Sequence, residues 1–276
     1  ITLFSPHEVP ELYETWGTDK FDEVYEAAER KTSVYKKKIN AQILFMNMLK
    51  ERAETGRIYI MNIDHCNTHS SFKDIIRMSN LCQEITLPTE PLQHIDGEGE
   101  IALCILSAIN VGKLVYFDDL ETLCDLSVRA LDEIIEHQGY PVKAAEISTK
   151  SRRSLGIGYI GLAHYLAKTG YNYNEKGAWE AVDELTEYFQ YYLLKSSNNL
   201  AKEKGKCEYF DRTKYSDGVL PIDTYKKEVD EIVNRKLSLD WESLRKDIIE
   251  HGLRHSTLSA QMPSESSSVV SNATNG

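Results

Sequence analysis

Ten consecutive positions, IALCILSAIN at 101–110, carry no charged residue and make an apolar run of strand length. A strand that is apolar on both sides needs cover on both faces, as in a parallel sheet lying under helices. Its flanks fit that arrangement. Asp118 and Glu121 form a capping-box-like helix start, followed by an apolar stripe of Leu120, Leu123, Cys124, Leu131, Ile134 and Ile135. Residues 156–169 are apolar and Gly-rich and then helical. Residues 177–204 predict a long helix that stops at Gly205. Helices near 222–234 and 240–251 follow, the second closed by Gly252, and STLSAQM (256–262) reads as a last strand. Strands alternating with helices predict an α/β architecture.

The N-terminal third is less regular. Residues 17–30 are charged and helix-like. Ile39, Ile43, Met46, Leu49 and Ala53 recur near the 3.6-residue period and predict a helix over 33–54, with Gly56 as its C-cap. RIYIMNID (57–64) alternates like a short strand, and DHCNTHSSF (64–72) reads as a polar loop. SNLCQEITL (79–87) is extended in character and is closed by Pro88 and Pro91.

Charge and cysteine usage narrow the function classes. Among 276 residues, 43 acidic side chains against 32 basic ones give a net charge of -11. A field of that sign opposes sequence-independent binding to nucleic acid, yet leaves room for one anion held by local backbone donors. No apolar run approaches the roughly 20 residues of a membrane span, and no secretory leader is visible. A cytoplasmic location is expected. The cysteines, at 66, 82, 104, 124 and 207, are odd in number, with no CxxC pair. They read as reduced thiols, and a metal site is not expected. Cys66 between His65 and His69 lacks a second ligand cluster. Cys124 and Cys207 read as structural.

The chemistry-bearing segment is Ser79-Asn80-Leu81-Cys82-Gln83-Glu84. On an extended backbone Asn80, Cys82 and Glu84 share one face, while Leu81, Gln83 and Ile85 point away. An amide, a thiol and a carboxylate in one row suit work on a polyhydroxylated ligand. The thiol can exchange hydrogen or attack as a nucleophile, the carboxylate can take a hydroxyl proton, and the amide can fix a neighbouring hydroxyl. The same row also fits a half-buried strand with a packing thiol and a solvated Glu. No His is placed near Cys82 by spacing, which argues against a Cys–His hydrolase. Cys104, inside its apolar strand, reads as core unless another thiol faces it.

Two further motifs differ in weight. Gly156-Ile157-Gly158-Tyr159-Ile160-Gly161 matches G-x-G-x-x-G, but the preceding STKSRRSL is no buried strand, so the glycines read as permitting close backbone packing. Met262-Pro263-Ser264-Glu265-Ser266-Ser267-Ser268 places small hydroxyl residues at a helix start, a source of donors for an anion; it reads equally as a polar surface loop.

Six strings run in order across nearly the whole chain: TGRIYIMNIDHCNTHS, SNLCQEI, EIALCILSAIN, RRSLGIGYIG, LPIDTYKK and STLSAQMPSESSSVVSNATNG. Together they resemble the large catalytic subunit of class I ribonucleotide reductases of the aerobic bacterial and phage type. Adenosylcobalamin-dependent and anaerobic reductases share the central thiol, but DHCNTH and LPIDTYKK favour class I. The resemblance implies a ten-stranded α/β barrel of two five-stranded halves, with the radical cysteine on a loop threaded into its centre. Residues 1–276 would form a single piece of that catalytic barrel: its second half plus the finger loop, with surrounding helices.

The resemblance also implies roles. Cys82 would carry the thiyl radical, Glu84 would deprotonate the 3' hydroxyl and Asn80 would hydrogen-bond beside it. Cys104 would be one of two reducing thiols, its partner lying upstream of Ile1. Ser79 to Glu84 would line the substrate site, and Pro263, Ser264, Glu265, Ser266 and Ser267 would hold the diphosphate. The implied partners are a ribonucleoside diphosphate, a metal-containing small subunit that supplies the radical, thioredoxin or glutaredoxin, and a second large subunit. No cofactor is expected on this chain itself. ATP and dNTP effectors would bind in an N-terminal region, and relay tyrosines and tail cysteines would lie beyond Gly276, so these 276 residues alone are not expected to turn over.

Overall fold

A computed structural model describes residues 1–94, 96, 97 and 99–275. In chain order the elements begin with β1 (Thr2–Phe4), α1 (Glu11–Thr15), α2 (Phe21–Arg30), β2 (Lys36–Lys38), α3 (Ala41–Thr55) and α4 (Ile63–His69). Next come β3 (Ile105–Asn110), α5 (Asp119–His137), α6 (Lys143–Arg152), β4 (Leu155–Ile160), α7 (Leu162–Thr169) and α8 (Lys176–Lys204). The chain continues through α9 (Pro221–Thr224), α10 (Trp241–His251) and α11 (Glu265–Val270). β1 pairs antiparallel with β2, and β3 runs parallel to β4 with Ile105 opposite Leu155 and Asn110 opposite Ile160. No barrel closes among the described residues.

STLSAQM does not form a full strand, but it does run along β4. Leu155 N donates to Thr257 O (3.1 Å), Ile157 N to Leu258 O (2.8 Å) and Ala260 N to Ile157 O (3.2 Å), with one parallel bridge between Ile157 and Ser259. Glycine permits this approach: a Cβ on Gly158 would stand 2.3 Å from Ala260 O. The G-x-G-x-x-G string is therefore the strand β4 itself and the turn into α7, where Gly161 has φ +80.

The strand expected over 101–110 is observed only as β3, so Cys104 lies just before it, and the expectation that both faces are covered is half met. One face packs as foreseen. Leu120, Cys124, Val128, Leu131 and Ile135 of α5, spaced by three and four, are buried against Ile109, Leu155 and Ile157 together with Leu185, Phe189 and Leu193 of α8. Each such side chain contributes roughly 1.5–3 kcal/mol on burial. Ile134, expected in that stripe, is 45% exposed. On the other face Leu106 is 42% exposed, and its neighbour in the register is Gly156. A Cβ there would stand 2.5 Å from Leu106 Cδ2 and 2.9 Å from Cys104 Sγ. That face is the wall of the candidate site.

Several local expectations are corrected. DHCNTH is helical, not a loop, and 57–64 is not a strand: α4 starts at Ile63. Tertiary hydrogen bonds to its polar residues explain this. Asn67 Nδ2 donates to Ile76 O (3.0 Å), Asn67 Oδ1 accepts from Ile76 N (2.8 Å), and Lys214 Nζ donates to the carbonyls of Asn67 and Thr68 at the helix end. The 33–54 helix begins only at Ala41, where the Asn40 side chain accepts from Ile43 N (3.0 Å). Its stripe residues Ile43 and Met46 are exposed. Asp118 makes no side-chain cap, and its own backbone is helical. Over 222–234 the helix stops at Thr224, and 227–231 is a 3-10 turn.

A buried ion cluster ties the ends of these helices together. Asp132 of α5 is fully buried and accepts from Arg153 Nη2 (2.6 Å), Arg254 Nε (3.2 Å) and His255 Nε2 (3.1 Å), while His255 Nδ1 meets Ser197 Oγ at 2.9 Å. Burial lowers the His255 pKa to about 4, against the opposing pull of Asp132. Between that value and about 6.5, where a free imidazole titrates, the unfolded chain binds a proton that the folded one does not. The stability contributed by His255 is thus complete at pH 7, declines as pH drops from 6.5 to 4 and changes no further below that. A urea series across this window should show a loss on the order of 3 kcal/mol. An unfolding midpoint flat over the window would refute the neutral buried imidazole.

Candidate functional site

The segment carrying Cys82 is a tight turn, which overturns the extended row expected for it. Asn80 N donates to Ile85 O (3.2 Å) and Gln83 N to Asn80 O (3.3 Å), while Asn80 Oδ1 accepts from Ile85 N (3.2 Å). Gln83 sits in the left-handed region at φ 66. The Asn80 side chain thus closes the turn from within, and the alternation that would have aligned residues 80, 82 and 84 is lost at residue 83. Ser79 Oγ donates to Asn80 O (3.0 Å). Leu81, 85% exposed, and Cys82 stand at the tip.

Cavities meet at Glu84. An open cleft of about 750 Å³ is lined by Tyr59, Cys82, Gln83, Glu84, Gln261, Met262, Pro263 and Asn275. A second, of about 460 Å³, brings Ser79, Asn80, Glu84 and Cys104 together against the open sheet face at Leu106. A third, of about 260 Å³, holds Glu84 beside Thr86, Gln190, Thr257 and Ser259. Cys82 and Glu84 therefore share one cleft with Pro263, and Asn80 and Cys104 share the next with Glu84. Glu84 Oε2 is buried without a hydrogen-bond partner among the described residues. A buried acceptor of that kind is costly unless a ligand donor meets it.

Burial and then the Glu84 charge push the Cys104 thiol up to about 12, so it is protonated at neutral pH. Burial likewise pushes Cys207 up to about 12 and raises Cys124; both are packed in the core. Cys66 is half-buried and its neighbours His65 and His69 meet edge to face, with His69 against the Thr224 carbonyl.

Of the proposed anion-binding residues, Pro263 lines the cleft with Cys82, and the others follow it at the start of α11. Ser264 is buried, its Oγ donating to Met262 O (3.3 Å), and Ser267 Oγ donates to Ser264 O (3.2 Å). Glu265 and Ser266 are exposed, and the first-turn N–H groups of a helix lack intrahelical acceptors. Tyr59, Gln261 and Asn275 were not foreseen as lining residues. Tyr59 lies in a segment that reads as strand, and Gln261 Oε1 accepts from Tyr159 N (3.0 Å), a contact between residues 102 positions apart.

The chain is similar to proteins described as ribonucleoside-diphosphate reductase subunit alpha. It is 56% identical to that of Haemophilus influenzae, 54% to subunit 1 alpha of Escherichia coli and 46% to that of Enterobacteria phage T4, each over the whole of this chain. It spans about 37% of the length of these relatives. A family model described as ribonucleotide reductase, barrel domain, matches residues 1–276. With that match along its full length, the chain belongs to the ribonucleotide reductase family, within the barrel domain.

Proposed function

We propose that this chain forms part of the catalytic subunit that reduces ribonucleoside diphosphates to 2'-deoxyribonucleoside diphosphates by thiyl-radical chemistry. The reading is supported above all by one cleft that holds the Cys82 thiol, Pro263 and a buried Glu84 carboxylate oxygen lacking a partner among the described residues. A sugar hydroxyl supplies the donor that this oxygen lacks.

The steps balance as follows. The Cys82 sulfur radical takes the 3' hydrogen and becomes S–H, leaving a carbon radical. Glu84 accepts the 3' hydroxyl proton and returns it to the 3' oxygen at the end of the cycle. The 2' oxygen takes a proton from one of the two reducing thiols and leaves as water, the other thiol hydrogen ending on C2'. Two thiols supply two electrons and two protons. One is Cys104, held protonated as this role requires; the second lies outside these 276 residues. They end as a disulfide, and the Cys82 hydrogen returns to C3', restoring the sulfur radical. Asn80 supports the turn and presents its amide to the sugar. Pro263 to Ser267 hold the diphosphate.

A metal-containing small subunit supplies the radical, and thioredoxin or glutaredoxin resets the disulfide by exchange. The large subunit pairs with a second copy and works in the cytoplasm, while ATP and dNTP effectors bind outside residues 1–276. No described helix is long and apolar enough to cross a membrane. β3, β4 and the 257–260 lane belong to a ten-stranded barrel completed by the rest of the polypeptide.

Cys104→Ser in the full-length subunit tests the scheme. Abstraction of the 3' hydrogen should persist, while multiple-turnover deoxynucleotide formation should fall by on the order of 10³-fold. Sustained turnover at the parent rate would remove Cys104 from it.

A further inference from the structure

The turn that carries Cys82 stands on a pair of stacked arginines. Arg152, buried at the end of α6, forks onto Glu100, Nε to Oε1 and Nη2 to Oε2, both 2.8 Å. Its Nη1 reaches Asp74 Oδ2 at 2.9 Å. The same Asp74 oxygen receives Arg212 Nε at 2.7 Å, and Arg212 Nη2 bonds Glu90. The Tyr209 ring is shared, with the Arg152 guanidinium carbon 5.1 Å and the Arg212 one 4.6 Å from its centroid. Asp74 is the ascending foot of the Cys82 loop; Glu90 and Glu100 are its descending foot. These two glutamates are also joined, Glu90 N to Glu100 Oε2 (2.8 Å) and Glu100 N to Glu90 O (3.2 Å).

The clamp is itself fastened to the scaffold. Tyr209 N donates to Ser151 O (3.0 Å), Lys73 N to Arg212 O (3.0 Å) and Lys214 N to Ser71 O (2.7 Å). Arg152, Arg212 and Tyr209 line none of the cavities that contain Glu84. Planar forks and stacking fix direction as well as distance, which a lysine ammonium does not. The turn between Asn80 and Ile85 is short, so its tip takes its direction from its feet.

Resting on the function proposed above, we infer that Arg152 and Arg212, stacked on Tyr209, are positioning residues. They hold both feet of the loop so that the Cys82 sulfur meets the sugar at reacting distance. Displacement of a reacting atom by about 1 Å costs up to about 100-fold in rate. Removing Arg152 would strand buried Glu100, so Arg212 and Tyr209, at the rim, are the informative sites.

The experiment uses the full-length subunit with its radical-generating partner, comparing the parent, Arg212→Gln, Arg212→Lys, Tyr209→Leu and Cys82→Ser. Arg212→Gln should lower kcat about tenfold with KM within about twofold. It should also raise the 3'-deuterium isotope effect on kcat, because hydrogen transfer becomes limiting. Arg212→Lys should recover part of kcat, and Tyr209→Leu should resemble Arg212→Gln. A parent-like kcat in Arg212→Gln, or a loss that follows the folded fraction with no change in isotope effect, overturns the clamp. If Cys82→Ser is inactive while Arg212→Gln is parent-like, only the clamp falls. If Cys82→Ser still reduces nucleotides, the thiyl reading itself falls.

Discussion

Replacement of Cys82 by serine in the full-length subunit should abolish nucleotide reduction, by on the order of 10⁴-fold or more, since a hydroxyl cannot stand in for the sulfur radical. Substrate carrying a 3' label should release none of it. Binding of the ribonucleoside diphosphate should stay close to that of the parent, because Pro263 to Ser267 and Glu84, the residues proposed above to hold it, are untouched. The thermal midpoint should also hold, since Cys82 is exposed at the tip of its turn and contributes no core packing. Deoxynucleotide formation by this variant would show that position 82 is not the radical site, whatever else lines the cleft.

The second large effect concerns folding. Asp132→Ala should destabilise the protein by about 3–5 kcal/mol, the range for breaking a buried ion pair by deleting one partner. Asp132 is the shared acceptor for Arg153, Arg254 and His255, and both it and His255 are wholly buried. Burial, the largest single influence, pushes its carboxyl up, but His255 and Arg153 together outweigh it and hold the group well below the usual carboxylate range. Without it, Glu136, at the edge of the cluster, is the one carboxylate still paired with Arg153 and Arg254 among the described residues; their other hydrogen bonds go to backbone carbonyls. Arg153 is also held in the left-handed region at φ 49, a conformation that the surrounding contacts must sustain. Urea denaturation of the full-length variant measures the loss; a change under about 1 kcal/mol would contradict this account. The opposite experiment, replacing exposed Glu26, whose partner Arg30 is equally exposed, should change stability by well under 1 kcal/mol.

Periodic helices were legible where a long apolar stripe is buried; α6, whose buried side is largely polar (Ser148, Thr149, Ser151 and Arg152), gave no such signal. Most of the α5 stripe follows from spacing, though not Ile134 or the Asp118 cap, and the extents of α8 up to Gly205 and of α10 up to Gly252 follow from spacing and the terminal glycines. The same rule misplaced α3, whose Ile43 and Met46 carry the helical period yet face outward, since periodicity reports a stripe without saying what covers it. It also missed α4, where a polar string becomes helical through Asn67 and Lys214, partners distant in sequence.

At the site, the sequence by itself determined the inventory: a thiol at 82, an acid at 84, a second thiol at 104 inside an apolar run, and glycines at 156 and 158 where side chains would block the sheet. Only the tertiary structure decided how these meet. The Asn80 side chain bonds the backbone of Ile85, drives Gln83 to positive φ and converts an apparent strand into a turn. Glu84 comes to lie where three cavities join, and Tyr59 and Gln261 arrive from remote segments. The physical reason is one of range. Hydrophobic period and backbone propensity act between near neighbours along the chain, whereas a polar side chain takes its direction from whichever donor or acceptor folding brings within about 3 Å.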